Sequence, residues 1–214
     1  MTDEDLRIRR VDDRAAYDRE TIYPIVDAAL IAHVGTVRDG KPVVIPMLGV
    51  RDGDRLLLHG AHAAGTFRRG RGQEVCVEMT LLDGLVLARS SFHHSLNYRS
   101  VVILGEAEAI TDLTERQHAL DAIVERLTPG RNEQLRPMTT AELKQTGVLR
   151  ISLERASAKV RTGPPVDDEE DYDWDVWAGV LPVSTAIGQP LPDPRLKDDV
   201  EVPPHVQVLA GTDR

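Results

Sequence analysis

Between Ile31 and Glu108 the chain alternates apolar runs with Asp-Gly pairs, the pattern of antiparallel strands joined by tight turns. IAHVGTV, PVVIPMLGV and RLLLHG, separated by Asp39-Gly40 and Asp52-Gly53, predict a three-stranded meander. EVCVEMTLL, GLVLARS and YRSVVILGEAEAIT, the first two separated by Asp83-Gly84, predict three more strands. Strands this closely spaced predict a barrel, and VLRISLE near residue 150 is expected to close it. Helical spacing places Ile22, Ile25, Val26 and Ala29 on one face of residues 19–30, where Pro24 is tolerable only in the first turn. It also places Leu120, Ile123, Val124 and Leu127 on one face of residues 114–128, with Thr114 as N-cap and Pro129-Gly130 as stop. AHAAGTFRRG predicts one or two helical turns, and Thr140 to Gln145 a shorter helix. The fold class is therefore α+β, mainly β: an antiparallel barrel with flanking helices.

Composition narrows the class. A chain of 214 residues can bury one core but not two full-sized enzyme domains. Residues 162–214 carry 12 acidic and 3 basic side chains, which accounts for the whole net charge of −9 and leaves the body neutral. A neutral body argues against a nucleic-acid surface, which needs clustered Lys and Arg. Beyond Gly163 the chain holds 8 of its 13 prolines, so residues 1–163 are read as the barrel domain and 164–214 as an extended, acidic C-terminal arm. That arm is expected to pack on the barrel or on a partner, through Trp174, Trp177 and Leu181. No apolar stretch suits a membrane span and the N-terminus lacks a signal-like apolar core, so a cytoplasmic location is expected. The single cysteine, Cys76 in VCVEM, reads as a small buried hydrophobe.

Two segments carry candidate chemistry. HGAHAAGTFR follows a strand and opens a helix, so small residues, free N–H groups and Arg68 suit a phosphate; an ordinary turn with a surface arginine is the competing reading. SSFHHSLNYRSVVILGEAE crowds His, Ser, Asn, Tyr and Arg ahead of an apolar strand, as in a site wall. His93 and His94 are adjacent and face opposite ways on an extended chain, and no cysteine partner exists, so no metal site is expected. No nucleophile turn of the G-x-S-x-G type is present.

The runs GLVLARSSFHHSLNYRSVVILGEAE, LLLHGA, SAKVRTGPP and WAGVLP resemble the flavin-nucleotide-binding branch of the pyridoxamine 5'-phosphate oxidase superfamily, related to the nitroimidazole-resistance reductases, from about Tyr17 to Pro182. The resemblance implies a split β-barrel, FMN as cofactor, and a homodimer with FMN at its two-fold interface and a small-molecule substrate in the groove. It implies that His59, with Gly60 and Ala61, lies beside the flavin; that Thr66 and Arg68 hold its phosphate; that Asn97, Tyr98, Arg99 and Ser100 line the cofactor, Ser100 standing where the oxidases have Gln; and that Lys159, Arg161 and Trp177 reach it from the C-terminal part. True oxidases carry an Arg and a Lys on the strand that here reads PVVIPMLGV, at positions near Ile45 and Val50, and a C-terminal Arg-x-His that this chain lacks. Without that cationic clamp a vitamin B6 phosphate loses its charge-assisted bonds.

Two functions follow as expectations. In one, the chain is an FMN-dependent oxidoreductase in which His59 orients substrate or donates a proton. In the other, it is a carrier of flavin, haem or deazaflavin, with His59, His62, His93 and His94 as candidate haem ligands. Arg68→Ala is expected to weaken flavin binding by about 1.5–3 kcal/mol if the guanidinium bonds the phosphate; an unchanged dissociation constant in a fluorescence titration would place Arg68 on the surface.

Overall fold

The computed structural model describes residues 4–61 and 72–212. Ten strands form a single antiparallel sheet: β1 (Ala15–Ala16), β2 (Ile31–Arg38), β3 (Lys41–Asp52), β4 (Arg55–Ala61), β5 (Glu74–Leu87), β6 (Ser95–Glu106), β7 (Glu108–Ala109), β8 (Thr146–Ser152), β9 (Ala156–Arg161) and β10 (Gly179–Pro182). Among the described residues four α-helices flank it: α1 (Arg19–Ala28), α2 (Leu113–Leu127), α3 (Thr140–Gln145) and α4 (Pro204–Leu209). The predicted helix over AHAAGTFRRG falls largely outside the described residues.

The predicted meander is present. Arg38 pairs with Lys41 across Asp39 and Gly40, which have φ of 51° and 73°, so both take the left-handed conformation that a two-residue hairpin of this hand needs. The next hairpin closes on Asp52 and Arg55, so its turn residues are Gly53 and Asp54, one position later than expected.

The hairpin expected at Asp83-Gly84 does not exist: β5 runs unbroken through it. A register shift between Leu82 and Gly84 makes Asp83 a bulge, and Arg99 of β6 grips its carboxylate with Nε at 2.9 Å and Nη2 at 2.7 Å. The strand beyond is paired on both edges, by β6 on one side and by β10 on the other. Gly84 permits that second pairing, because a Cβ there would stand 2.9 Å from Val180 Cγ1.

The sheet runs in the order β1-β9-β6-β5-β2-β3-β4-β8-β7, with β10 against β5. The strand VLRISLE does not close it, contrary to expectation. That strand, β8, pairs along its length with β4, and on its other edge meets only the two residues of β7. Since β6 and β7 are separated by the single buried residue Ala107, one run of chain pairs with β5 and β9 in one part of the open ladder and with β8 at its far end, as in a split barrel.

Two apolar layers result. Along β4, Leu56 and Leu58 face the barrel core with Ile22, Ile25 and Val26 of α1, while Leu57 faces a second cluster with Val50, Val148, Ala119, Leu120 and Ile123. A strand buried on both faces reads as a continuous apolar run, which explains RLLLHG. On β5, Val75, Val77 and Met79 point inward, and Cys76 between them is exposed, not buried as expected. Pro24 sits at the sixth position of α1, beyond the first turn; its missing N–H costs one helical bond, offset by burial of Ile22, Ile25 and Val26. Asp112, not Thr114, caps α2, accepting from the amides of Thr114 and Glu115.

The buried Arg116 fixes α2 to its neighbours. Its Nε and Nη2 donate to the carbonyl of Ile110 at 3.1 and 2.7 Å, and its Nη1 to that of Leu143 in α3 at 2.9 Å. Arg116→Ala would leave both carbonyls short of a donor and open a void, so a loss of roughly 2–4 kcal/mol in denaturant unfolding is expected; a change below about 0.5 kcal/mol, the range of a surface substitution, would contradict this role.

Candidate functional site

The alternation that sends Leu57 outward toward α2 sends His59 the same way. His59 lies opposite Val148 on β8 and lines a cavity of about 730 Å³. The roof is α2, through Leu120, Ile123, Val124 and Leu127 with Gln117 and Asp121 at its edge; the mouth is the following connection, through Asn132, Leu135, Arg136, Pro137 and Met138. The lining is mostly apolar. Among the described residues His59 Nδ1 is buried without a hydrogen-bond partner, a costly state for a ring nitrogen.

The mouth is held in shape by local bonds. Thr139 and Glu142 form a capping box at the start of α3, and Glu142 also takes both guanidinium nitrogens of Arg136, Nη1 at 2.9 Å and Nη2 at 2.5 Å. The Arg136 guanidinium, then the Thr139 amide, hold the Glu142 carboxyl down at about 2. Asn132 Nδ2 donates to the Asp121 carbonyl at 2.8 Å, tying the connection to α2.

The other candidates gather elsewhere, on β6 and β9. Tyr98 lies opposite Arg161, and Ser100 opposite Lys159. Asn97 is buried; its amide donates to the Gly163 carbonyl at 3.0 Å, and its oxygen accepts from Arg161 Nη1. Arg161 Nη2 donates to the Pro164 carbonyl at 3.3 Å, so the hydrogen-bond acceptors of this buried cation are neutral. Burial, and then nearby Arg14, push its guanidinium below the ordinary value. Ser100 Oγ donates to the Lys159 carbonyl at 3.3 Å, and Lys159 Nζ to the Arg10 carbonyl at 2.8 Å. Arg99 is engaged by Asp83. Trp177 stands exposed before β10, its ring over Gly179, where a Cβ would come within 2.9 Å of Cζ2. Gly60 and Ala61 end β4 opposite Gly147 and Thr146. Thr66, Arg68 and His62 lie outside the described residues.

His59 is thus separated from the β6–β9 group, and its cavity partners on α2 and residues 132–138 were not among the expected site residues. By its spacing alone the apolar face of α2 predicts packing on the sheet. The signal that distinguishes it is Gln117 and Asp121 at i, i+4 beside that face, followed by a connection from 128 to 139 with a single short helical turn.

The arm begins on a clasp. Asp167, whose side chain is fully buried, accepts from the Arg89 amide at 2.9 Å and from Arg89 Nη1 at 3.0 Å, and Tyr172 lies under the same guanidinium at 4.7 Å. Burial raises the Asp167 carboxyl, but the Arg89 amide and guanidinium outweigh it, so its value is lowered overall. A lowered folded value means the clasp is fully stabilising above the unfolded carboxyl range near pH 4 and is lost only as pH falls through the lower folded value. Proteolysis within residues 164–175 is therefore expected to stay slow down to about pH 4 in the wild type and to be fast already at neutral pH in Asp167→Asn; equal rates in the two at neutral pH would contradict it.

Residues 18–160 match the family model described as pyridoxamine 5'-phosphate oxidase, and the chain belongs to that family. Among solved structures, it is similar to the flavocytochrome Anf3 from Azotobacter vinelandii, with 41% identity over 98% of each chain and a TM-score of 0.94. It is also similar to the FAD and haem binding protein from Mycobacterium smegmatis, with 36% identity over 92% of this chain and 98% of that one and a TM-score of 0.89. A protein from Bacteroides thetaiotaomicron named for 5-nitroimidazole antibiotic resistance has 26% identity over 68% of this chain and 86% of that one, with a TM-score of 0.58. No curated protein matches the chain. Among the described residues no helix is long and apolar enough to cross a membrane.

Proposed function

We propose that this chain is a flavin-dependent oxidoreductase that also carries a haem, with the cavity over His59 as the haem pocket. The observation that carries this reading is His59 on the wall of an apolar cavity of about 730 Å³, a size that suits a cofactor, with a ring nitrogen that no described residue bonds. The names of the Azotobacter and Mycobacterium relatives, a flavocytochrome and an FAD and haem binding protein, support it.

The donor set fits the group. His59 would hold the iron through an imidazole nitrogen, and Leu120, Ile123, Val124, Leu127, Leu135 and Met138 would keep water from the group. Gln117, Asn132 and Arg136 line the same cavity and would offer polar contacts to the group while keeping their bonds to Asp121 and Glu142. When bound, a haem supplies one-electron chemistry and a flavin converts between two-electron and one-electron transfer. The chain's part is to hold each at a fixed place: His59 on a strand buried on both faces, and the flavin against the β6–β9 group, where the hydrogen-bond acceptors of Arg161 are neutral.

The flavin is taken as FAD, the form named for the Mycobacterium relative, in place of the FMN expected from the family resemblance. Pyridoxamine 5'-phosphate is not the substrate in this reading, because Val50 is buried under α2 and a cation at that position would have no water. A homodimer is part of the proposal: Phe92, Trp174 and Trp177 are exposed by 87%, 69% and 64%, an apolar surface that a second copy would cover.

Haemin titrated into the wild type is expected to saturate with a Soret shift. His59→Ala is expected to bind it at least about tenfold more weakly, a cost of about 1.4 kcal/mol or more, while keeping its flavin. Equal haem affinity in the two proteins would contradict the ligand assignment, and the mass of the flavin released on denaturation tells FAD from FMN.

A further inference from the structure

We propose that His93, Asp168 and Asp171 form a binding site for a divalent transition-metal ion, zinc being the ion the donors suit best, which fastens the start of the C-terminal arm to the loop between β5 and β6. One ligand atom from each of the three lies within 4.8 Å of the others.

The arrangement follows from local structure. Asp168 is the N-cap of a 3₁₀ turn over Glu169–Asp173, and the Asp171 amide donates to the Asp168 carbonyl at 2.9 Å. With three residues per turn, positions i and i+3 eclipse, so the carboxylates of Asp168 and Asp171 stand on the same side of the turn. That side meets His93, whose Nε2 is 3.2 Å from Asp168 Oδ2. Two ligands each about 2.0–2.1 Å from a tetrahedral ion are separated by roughly 3.3 Å, so this edge of the triangle is already the right length. The sequence pattern alone argued against a metal because His93 and His94 diverge. They do diverge, His94 turning its Nδ1 to the Ser90 carbonyl at 2.8 Å, but His93 gains two carboxylates from 75 and 78 residues further along the chain.

The scaffold under these ligands stands without an ion. The Arg89–Asp167 clasp and the Tyr172 ring hold both backbones, and Phe92 packs edge-on against the His93 ring at 5.0 Å. Arg89 gives its amide and Nη1 to Asp167, and Asp168 and Asp171 face each other's charge beside His93, whose Nε2 is in hydrogen-bond contact with Asp168 alone. A dication would relieve that repulsion. One imidazole and two carboxylates suit a borderline ion such as zinc better than magnesium or calcium, which prefer all-oxygen sets, and water would fill the remaining positions. This site is independent of the haem and flavin reading.

The test is calorimetric titration of zinc chloride into the full-length protein with its bound cofactors, after dialysis against chelator. One site per chain is expected, weakened at least about tenfold in both His93→Ala and Asp171→Asn and unchanged in His94→Ala. Zinc is also expected to slow proteolysis of residues 164–175 in the wild type and not in those two variants, with magnesium giving no protection. Absence of zinc binding to the wild type, equal affinity in wild type and His93→Ala, or equal binding of magnesium would overturn the proposal.

Discussion

The candidate cofactor cavity depends on where a single buried guanidinium anchors α2. Arg116 sits in the first turn of the helix and spends its donors on the carbonyls of Ile110 and Leu143, so it fastens α2 to the end of β7 and to α3 at once. Ala119, Leu120 and Ile123 then pack on β3, β4 and β8, but the C-terminal half of the helix is carried out over the cavity. The connection to α3 must return from there, and its residues become the mouth. Carbonyl acceptors without a carboxylate leave the arginine's charge unneutralised, which fits a position fixed by geometry more than by ion pairing.

Burial of β4 on both faces sets the chemistry within that cavity. Leu56 and Leu58 bind the strand to the barrel, Leu57 binds it to the α2 layer, and His59 follows Leu57 by the period of two. A polar side chain at such a position is expensive unless it is satisfied, and its buried ring nitrogen has no partner among the described residues. At the other end of the sheet the same economy gives the opposite result: Asp83, Arg99, Asn97 and Arg161 satisfy one another, and the bulge at Asp83 lets β10 lie against β5. The C-terminal arm is therefore joined to the barrel twice, by the Arg89–Asp167 clasp and by β10.

Much of this was legible in the sequence. The period-two runs and Asp-Gly pairs gave the β2–β3–β4 meander, and the spacing of Ile22, Ile25 and Val26 gave the buried face of α1. The residue runs around Arg99 and His59 pointed to the family. What misled was chemistry that depends on distant partners. Asp83-Gly84 has turn composition, but Arg99 and β10 hold it straight. Cys76 lies in an apolar run, yet alternation turns it outward. The cavity was hidden because Leu120, Ile123 and Val124 look the same whether they meet a sheet or an empty space, and the His93 cluster because its aspartates come from the arm.

In the proposed function one chain positions two redox groups, a flavin along the sheet and a haem under α2. The most direct measurement of this is the visible spectrum and chromophore content of the protein isolated from cells supplied with a haem precursor. A Soret band together with flavin absorbance is expected, near one haem and one flavin per chain. Full flavin occupancy with no Soret band, and none on adding haemin, would contradict it.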